Sequence, residues 1–595
     1  MSNPFVPPKL DTPPRWPRRV WPGAVVLAVV LAMLLVPPFV IERWSAQYLM
    51  MMVTPVIAIA GAMVWWSRLA GVSRADRWAV IACFVIPFGI LAGELAVQGI
   101  PPMAPAVYGV PFVLALWVGW LVVSVPFGPA VRRPGVFVAI LVGWAAVACV
   151  RLESTDSHMV PELAWRWTPK PEDAFAVIKG QRQTAETKAG TIEVKPGDWA
   201  EFRGPNRDNR LTGVNLDPKR FGQAKELWKV PIGPGWGSFA VVGDRLFTME
   251  QQGGNEAVVC LDADTGKLVW EHTYPAKFTD QNAGVGPRST PTVSGGRVYS
   301  TGATGKLTCL DAATGKEIWT KDYAADADGW RPTTWWGYAS APLVRHGLAI
   351  VFTGNGKKGK GTTAFDADTG KVVWQAGKGY HGYSSAQMLT FAGVEQVLMA
   401  SNYGIEAFDP KTGAVLWEHE WLQAQGNRTA QPAILGDGEL LLGTGVGFLA
   451  SRRLKVMKTD AGWQVQKVWQ SVQPSPYYND GVVHAGHYFG FSGAKFDCID
   501  MADGQEKWSA GTRYGNGQVL LLADQNLLLI SQERKSLTDD RVSVFLVEAN
   551  PEEFVPVAEL PTIRGKTWNQ PVIAHGRHGR SWPAELARVV RVVDR

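Results

Sequence analysis

The pattern of apolar and polar positions changes character once along this chain, near residue 150. Ahead of that point the chain is apolar almost without interruption, in five stretches at about 21–41, 48–66, 78–98, 108–128 and 135–150. A hydrocarbon layer ~30 Å thick is crossed by ~20 apolar residues of helix, so the pattern predicts five transmembrane helices, the last of them the shortest. A cleaved leader does not account for the first stretch, because further apolar segments follow it. Residues 151–197 form a link with Pro161, Pro169, Pro171 and Pro196, mixed charges, and a short helix predicted around 171–180.

Beyond the link the pattern is a repeat. Cys260-Leu-Asp-Ala-Asp-Thr-Gly-Lys-Leu-Val-Trp270 returns at Cys309–Trp319, Ala364–Trp374 and Ala407–Trp417, more weakly in copies ending at Trp469 and Trp508, and in decayed form over 545–560. A strand ends at the Asp, whose side chain bonds the turn's backbone N–H groups. Gly supplies a positive φ, and the next strand carries Trp to the neighbouring sheet. That hairpin is the outer pair of a four-stranded blade. The inner pair recurs too, as in Ser289-Thr-Pro-Thr-Val-Ser-Gly-Gly-Arg-Val-Tyr299, with starts near 238, 289, 340, 385, 430, 479, 516 and 569. Eight starts predict an all-β, eight-bladed propeller behind the helical membrane bundle. Residues 226–230 supply the outermost strand of the blade beginning at Trp568, which closes the ring and leaves no long open edge.

Past Ala574-His-Gly-Arg577 the repeat is lost. His578-Gly-Arg-Ser-Trp-Pro583 opposes a strand, and an Arg-, Ala- and Val-rich tail follows to 595. Either a slip of reading frame near 577 or a terminal helix from Ser581 gives this pattern, and both predict an eighth blade short of strands. The domains are therefore a basic tail over 1–20, helices over 21–150, the link, a propeller over 198–577 and an aberrant tail over 578–595.

Charge orients the bundle. Lys9, Arg15, Arg18 and Arg19 precede the first helix, Arg68, Arg74 and Arg77 lie between the second and third, and Arg132 and Arg133 between the fourth and fifth. The alternate loops have only Glu42–Arg43 or no charge, so the basic loops face the cytoplasm and an odd number of helices places the propeller outside it. For a bacterial chain this means the cytoplasmic membrane with a periplasmic propeller. Glu94 falls near the outer end of the third helix, where it reaches the interface or serves a proton- or quinone-linked role. A net charge of +6, concentrated near both termini, does not point to nucleic acid. Of five cysteines, Cys83 and Cys149 fall in helices, and Cys260, Cys309 and Cys498 occupy one repeat position in separate blades, so they are read as structural thiols.

The Asp-Ala-x-Thr-Gly-Lys-x-x-Trp unit resembles the tryptophan-docking repeat of pyrroloquinoline-quinone (PQQ) dehydrogenases, shared with the propeller lipoprotein of the outer-membrane barrel-assembly machine. Asp198-Trp-Ala-Glu-Phe-Arg-Gly-Pro-Asn206 resembles the entry segment of PQQ-like repeat proteins. Five helices ahead of such a propeller resemble the layout of membrane-bound quinoprotein glucose dehydrogenase, although ~400 propeller residues is short for that enzyme. The resemblance speaks for fold more than activity, because the motif is structural.

Loops entering the inner strands share one face around the axis. They carry Trp236, Arg288, Trp336, Tyr338, His381, Tyr383, Arg428, Tyr478, Asn479, Asp480, Tyr514, Asn516, Trp568 and Asn569, while Glu250 and Gln251 reach the same rim from a second strand. The loop 320–339 has Trp330, Trp335 and Trp336 to cover the mouth. Arg288 and Arg428 suit a carboxylate ligand, and Trp336 or Trp568 suits a planar ring. The leading expectation is a tethered propeller binding an envelope partner or small ligand. The alternative that the resemblance implies is a PQQ-dependent dehydrogenase oxidising a sugar or alcohol and reducing membrane quinone. In that case Glu250, Asn479 and Asp480 would hold Ca²⁺ and Asp480 would be the catalytic base.

Overall fold

The structure is a computed structural model, and it describes residues 20–36, 44–69, 72–97, 105–155, 161–185, 191–224, 226–280, 282–324, 336–423, 428–444, 450–512, 514–515, 517–532, 541–564 and 567–574. Two compact units divide at Thr168/Pro169.

The first unit has five apolar helices: α1 (Trp21–Leu35), α2 (Trp44–Ser67), α3 (Arg74–Val97), α4 (Val110–Val123, entered through a wide turn at Pro105–Gly109) and α5 (Pro129–Cys149). Four of them are long and apolar enough to cross a bilayer, and α1 is the short one. This corrects the expectation for the last helix, which starts at Pro129, where a proline is well placed for a first turn, and runs for 21 residues. The core is aromatic: the Trp66 and Trp117 rings are 5.1 Å apart, and Phe84 and Trp144 close on them. At one end Arg133 pairs with Asp76 at 2.7 Å, and Arg77 and the buried Arg132 bond the carbonyls of Leu69 and Leu121. The two described arginine-rich loops thus meet at one end; the basic tail ahead of α1 lies outside the described residues. At the other end Glu94 pairs with Arg166 at 3.0 Å and keeps a half-exposed carboxylate, a placement that suits the interface reading.

The stretch expected as a plain link is split between the units. After α5 the chain forms the hairpin β1 (Val150–Thr155) and β2 (Pro161–Trp165) within the first unit. The expected short helix is α6 (Pro171–Ile178), in the second. Behind it Thr184 bridges Leu268 in parallel, covering the outer edge of the first blade-like sheet.

Among its described residues the second unit holds seven successive antiparallel sheets of four strands in chain order, at 240–275, 292–322, 343–376, 387–420, 433–471, 482–509 and 518–564, the last extended by Arg210–Leu211. The repeat explains how they pack. Asp311 Oδ1 accepts from the Thr314 N–H and hydroxyl at 2.8 and 2.7 Å, and Gly315 adopts φ +71°. Asp262, Asp366 and Asp409 build the same turn. Trp270, Trp319, Trp374, Trp469 and Trp508 each donate their indole N–H to a turn carbonyl of the next sheet, at Ala312, Ala367, Pro410, Met501 and Asn550. Trp417 instead bonds Gln396 of its own sheet, and the sheet that follows has the shorter Asp460-Ala-Gly462 in place of the Asp-x-x-Thr-Gly turn.

Between the seventh sheet and the first, residues 226–230 and 567–574 are described without strand pairing. Trp228 still docks its indole on Ala263 O at 3.0 Å, as a preceding blade's tryptophan does. Trp568 O and Gln570 O accept from Gln518 and Ser238, which puts 567–574 beside the inner strands of both sheets. Leu520, Leu529, Leu546, Ile573, Leu246 and Leu261 share one apolar core there, with Trp228 and Val230 packed on it. The tail 578–595 lies outside the described residues. Cys260, Cys309 and Cys498 are buried free thiols in three different sheets.

Candidate functional site

Inner strands begin at one side of each sheet, and the residues just before them converge. Trp236 lies 4.8 Å from Trp568, Trp568 4.9 Å from Tyr478, and Tyr478 5.5 Å from Tyr477. Tyr477 meets Trp336 edge-on at 5.9 Å, Trp336 stacks on Tyr383 at 5.0 Å, and His381 abuts Tyr383 at 5.2 Å. The path joins loops leading into the first, third, fourth and sixth sheets with the segment 567–574. Its members fix one another: the Tyr383 hydroxyl accepts from Trp336 N at 3.1 Å and meets His381 Nε2 at 3.3 Å. Tyr383 and Tyr477 are buried, whereas Trp236, Trp336, His381, Tyr478 and Trp568 keep part of their surface open. Together they make an aromatic floor.

Beside this floor runs the segment 198–211. Trp199 pairs with Val241, Ala200 O accepts from Val293 N, and the Arg207 guanidinium donates to Ala341 O and Pro342 O. Gln387 donates to Arg207 O, Arg203 faces Asp480 at 3.3 Å, and Asn209 O accepts from Leu521 N. One short stretch therefore touches the inner strands, or the residues just before them, of six sheets, so it lies where those strands converge. Within it Arg207 and Arg345 both grip the buried Glu201.

Residues 214–281 and 279–510 match the model of the PQQ-repeat family described as outer membrane protein assembly factor BamB. The chain belongs to the PQQ-like repeat propeller family. Among solved structures the PQQ-like chain is similar to a europium-containing methanol dehydrogenase, at 15% identity over 57% of this chain and 91% of that one, with a TM-score of 0.34. It is also similar to BamB from Moraxella catarrhalis (17%, 53% and 82%, TM-score 0.35) and to quinohemoprotein alcohol dehydrogenase from Comamonas testosteroni (13%, 63% and 75%, TM-score 0.34). No curated protein matches.

In this PQQ-like propeller the residues expected at the mouth divide into two groups. Trp336, His381, Tyr383 and Trp568 join the aromatic floor, with Trp236 and Tyr478. Tyr338 instead packs edge-on against Tyr323 at 4.9 Å, and Tyr514 is enclosed by Phe545 and Phe554. Asn569 stands next to Trp568 with its side-chain oxygen buried, and Asn516 lies outside the described residues, as do Trp330 and Trp335.

The polar members are engaged within the fold. Arg288 is held by Asp280 and by the carbonyls of Gly284, Gly286 and Trp336, with Phe278 over its guanidinium. Arg428 is fully buried and donates to the carbonyls of Ser401, Gly404 and Gly443, and burial pushes it down to about 9. Neither guanidinium is presented to a carboxylate ligand, which corrects the expectation for both. Gln251 bonds the carbonyls of Gly253 and Ala276.

Glu250 accepts from both terminal nitrogens of Arg182, at 2.9 and 2.7 Å, from Gly233 N and from Gln252. Asp480 accepts from Gln431 N at 2.7 Å and from Gln570, and faces Arg203. Asn479 Oδ1 accepts from Tyr477 N and its amide donates to Gly517 O. A calcium centre needs several oxygens free to converge on one point. These carboxylates each lean on a buried arginine instead, so the trio does not fit calcium, and Asp480 is not free to act as a base. Among the described residues no group of three His, Cys, Asp or Glu side chains is placed to hold a metal.

Sequence reasoning missed Tyr477, although the Tyr477–Tyr478 doublet was a visible signal. It also missed Arg182, Glu201, Arg203 and Arg207, whose partners lie up to 277 residues away, as with Arg203 and Asp480.

Proposed function

We propose that this is a cell-envelope binding protein: five helices anchor it in the cytoplasmic membrane, and an eight-bladed propeller outside the cytoplasm recognises an envelope partner on its aromatic floor. The observation that carries this reading is the continuous path from Trp236 to His381, with Trp and Tyr surfaces left partly open. Large, rigid aromatic groups are the commonest anchors of recognition surfaces, because they bury much area for little lost freedom. In this reading 567–574 is the inner strand of the eighth blade, and 226–230, with Trp228 docked on Ala263, is its outer remnant. The arginines gathered at one end of the bundle set that end in the cytoplasm.

PQQ-linked oxidation is the competing chemistry, and the engaged state of Glu250, Asn479 and Asp480 weighs against it. Two measurements on the full chain test the proposal. A photo-crosslinking amino acid at Trp336 should capture a discrete envelope partner in cells, while the same group at Val468 on an outer strand should not. Purified protein given PQQ and Ca²⁺ should reduce no dye with glucose or alcohols. Substrate-dependent dye reduction that disappears in Asp480→Asn would overturn the binding reading in favour of the enzyme.

A further inference from the structure

The hairpin that follows α5 has two unlike faces. Its register pairs Val150 with Trp165, Arg151 with Ala164 and Leu152 with Leu163. Residues opposite one another share a face and successive residues alternate. Val150, Leu152, Leu163 and Trp165 therefore form one apolar face, and Arg151 and Ala164 belong to the other. The apolar face is not covered: Leu163 and Trp165 are each 53% exposed, and Trp167, stacked on Trp165 at 5.1 Å, is 69% exposed. An isolated two-stranded hairpin is marginal in water, and one with such a face needs a surface to lie on.

The position of the hairpin is tied to the helix ends. β1 starts at Val150, the residue after α5 ends, and Arg166 N donates to Cys149 O at 2.9 Å. The Arg166 guanidinium pairs with Glu94 in the last turn of α3, whose flank exposes Ile86, Ile90 and Val97. On the polar side Arg151 bonds Glu153 and the carbonyls of Arg166 and Thr168. Charged groups at the level of helix ends, with a tryptophan pair beside them, are the arrangement of a membrane–water interface.

We infer that β1–β2 with Trp167 lies in the headgroup layer of the bilayer as an interfacial anchor, its Leu163–Trp165 face toward the acyl chains. This rests on the reading of the helices as membrane spans. The anchor adds a second hold on the lipid where the chain leaves it, and limits how far the following segment can swing.

Spin labels on the full chain in liposomes test it, in a Cys83→Ala, Cys149→Ala background, at Leu163→Cys, Trp165→Cys, Ala164→Cys and Ile90→Cys. Collisions with oxygen and with a water-soluble nickel chelate report depth. The labels at 163 and 165 should sit about 5–10 Å below the phosphates, and the one at 164 nearer water. Water-like values at 163 and 165 with a lipid-like value at 90 would overturn the anchor alone. Shielding of 163 and 165 from both reagents would also overturn it, by showing a protein surface over the face. A water-like value at 90 would remove the membrane reading and the anchor with it.

Discussion

At the scale of single residues, the repeat motif acts through contacts that are short in sequence, which is why it was readable. Asp366 accepts from the Thr369 N–H and hydroxyl, which together hold its carboxyl below the usual range. Gly370 has φ +67°, and a Cβ there would stand 2.7 Å from the Trp319 ring docked across from it. Gly370→Ala should cost about 1–2 kcal/mol from the backbone alone, more with the clash, and chemical denaturation should show it. The polar site residues were less legible. Loop position predicted Arg288 and Arg428 at the mouth, but not that Arg288 folds back onto Asp280, Gly284 and Gly286 of its own loop, or that Arg428 meets carbonyls at Ser401, Gly404 and Gly443, which are set by how separate segments come together. Glu250 is the clearest instance, because Arg182 lies outside the repeat. Glu250→Gln should lower stability by about 3–5 kcal/mol by leaving the buried Arg182 uncompensated. A protein whose Glu250 served only a metal would unfold at an unchanged midpoint in the absence of metal.

At the scale of elements, tryptophan docking survives a decayed turn, as for Trp508 on Asn550, and changes at Trp417, where the next sheet's outer hairpin turns at Asp460-Ala-Gly462. Trp417 has turned to Gln396, and its strand places His419 beside Arg452. Burial, with Arg452 and Arg428 nearby, pushes His419 down to about 4. The folded state therefore favours the neutral imidazole. Its contribution is complete above an unfolded pKa near 6.5 and is lost as pH falls from there towards 4. Titration by NMR should show the His419 ring unprotonated at pH 5.5, and His419→Gln should flatten the loss of stability between pH 6.5 and 4. The helices were legible from apolar length, yet their ends were not. α5 begins six residues before the expected 135, because Pro129, Arg132 and Arg133 belong to the helix although they interrupt its apolar run. The hairpin at 150–165 escaped because its few apolar residues are interleaved with Arg and Glu and interrupted by Pro161.

At the scale of the whole molecule, the spacing of the inner-strand starts predicts eight blades, and seven four-stranded sheets are found among the described residues. The first seven starts each lead into a sheet of four strands. The eighth leads into 567–574, which bonds both neighbours without a strand assigned. Trp228→Ala should then destabilise the unit by about 3–5 kcal/mol, because its indole joins the apolar core between the seventh sheet and the first. Topology is open to a simpler test: an alkaline phosphatase fused after Arg151 should be active, and a fusion active only as a cytoplasmic reporter would reverse the orientation.

The segment 198–211 has a consequence for the order of assembly. It precedes all seven four-stranded sheets in the chain, yet contacts six of them, the farthest about 310 residues on at Leu521. A stretch enclosed by inner strands cannot easily be inserted once those strands have closed around it. Later sheets are expected to form against this early-synthesised stretch, and contacts so distant in sequence are expected to form slowly. A circular permutant that makes 198–211 the last part synthesised should become protease-resistant more slowly during synthesis than the natural order.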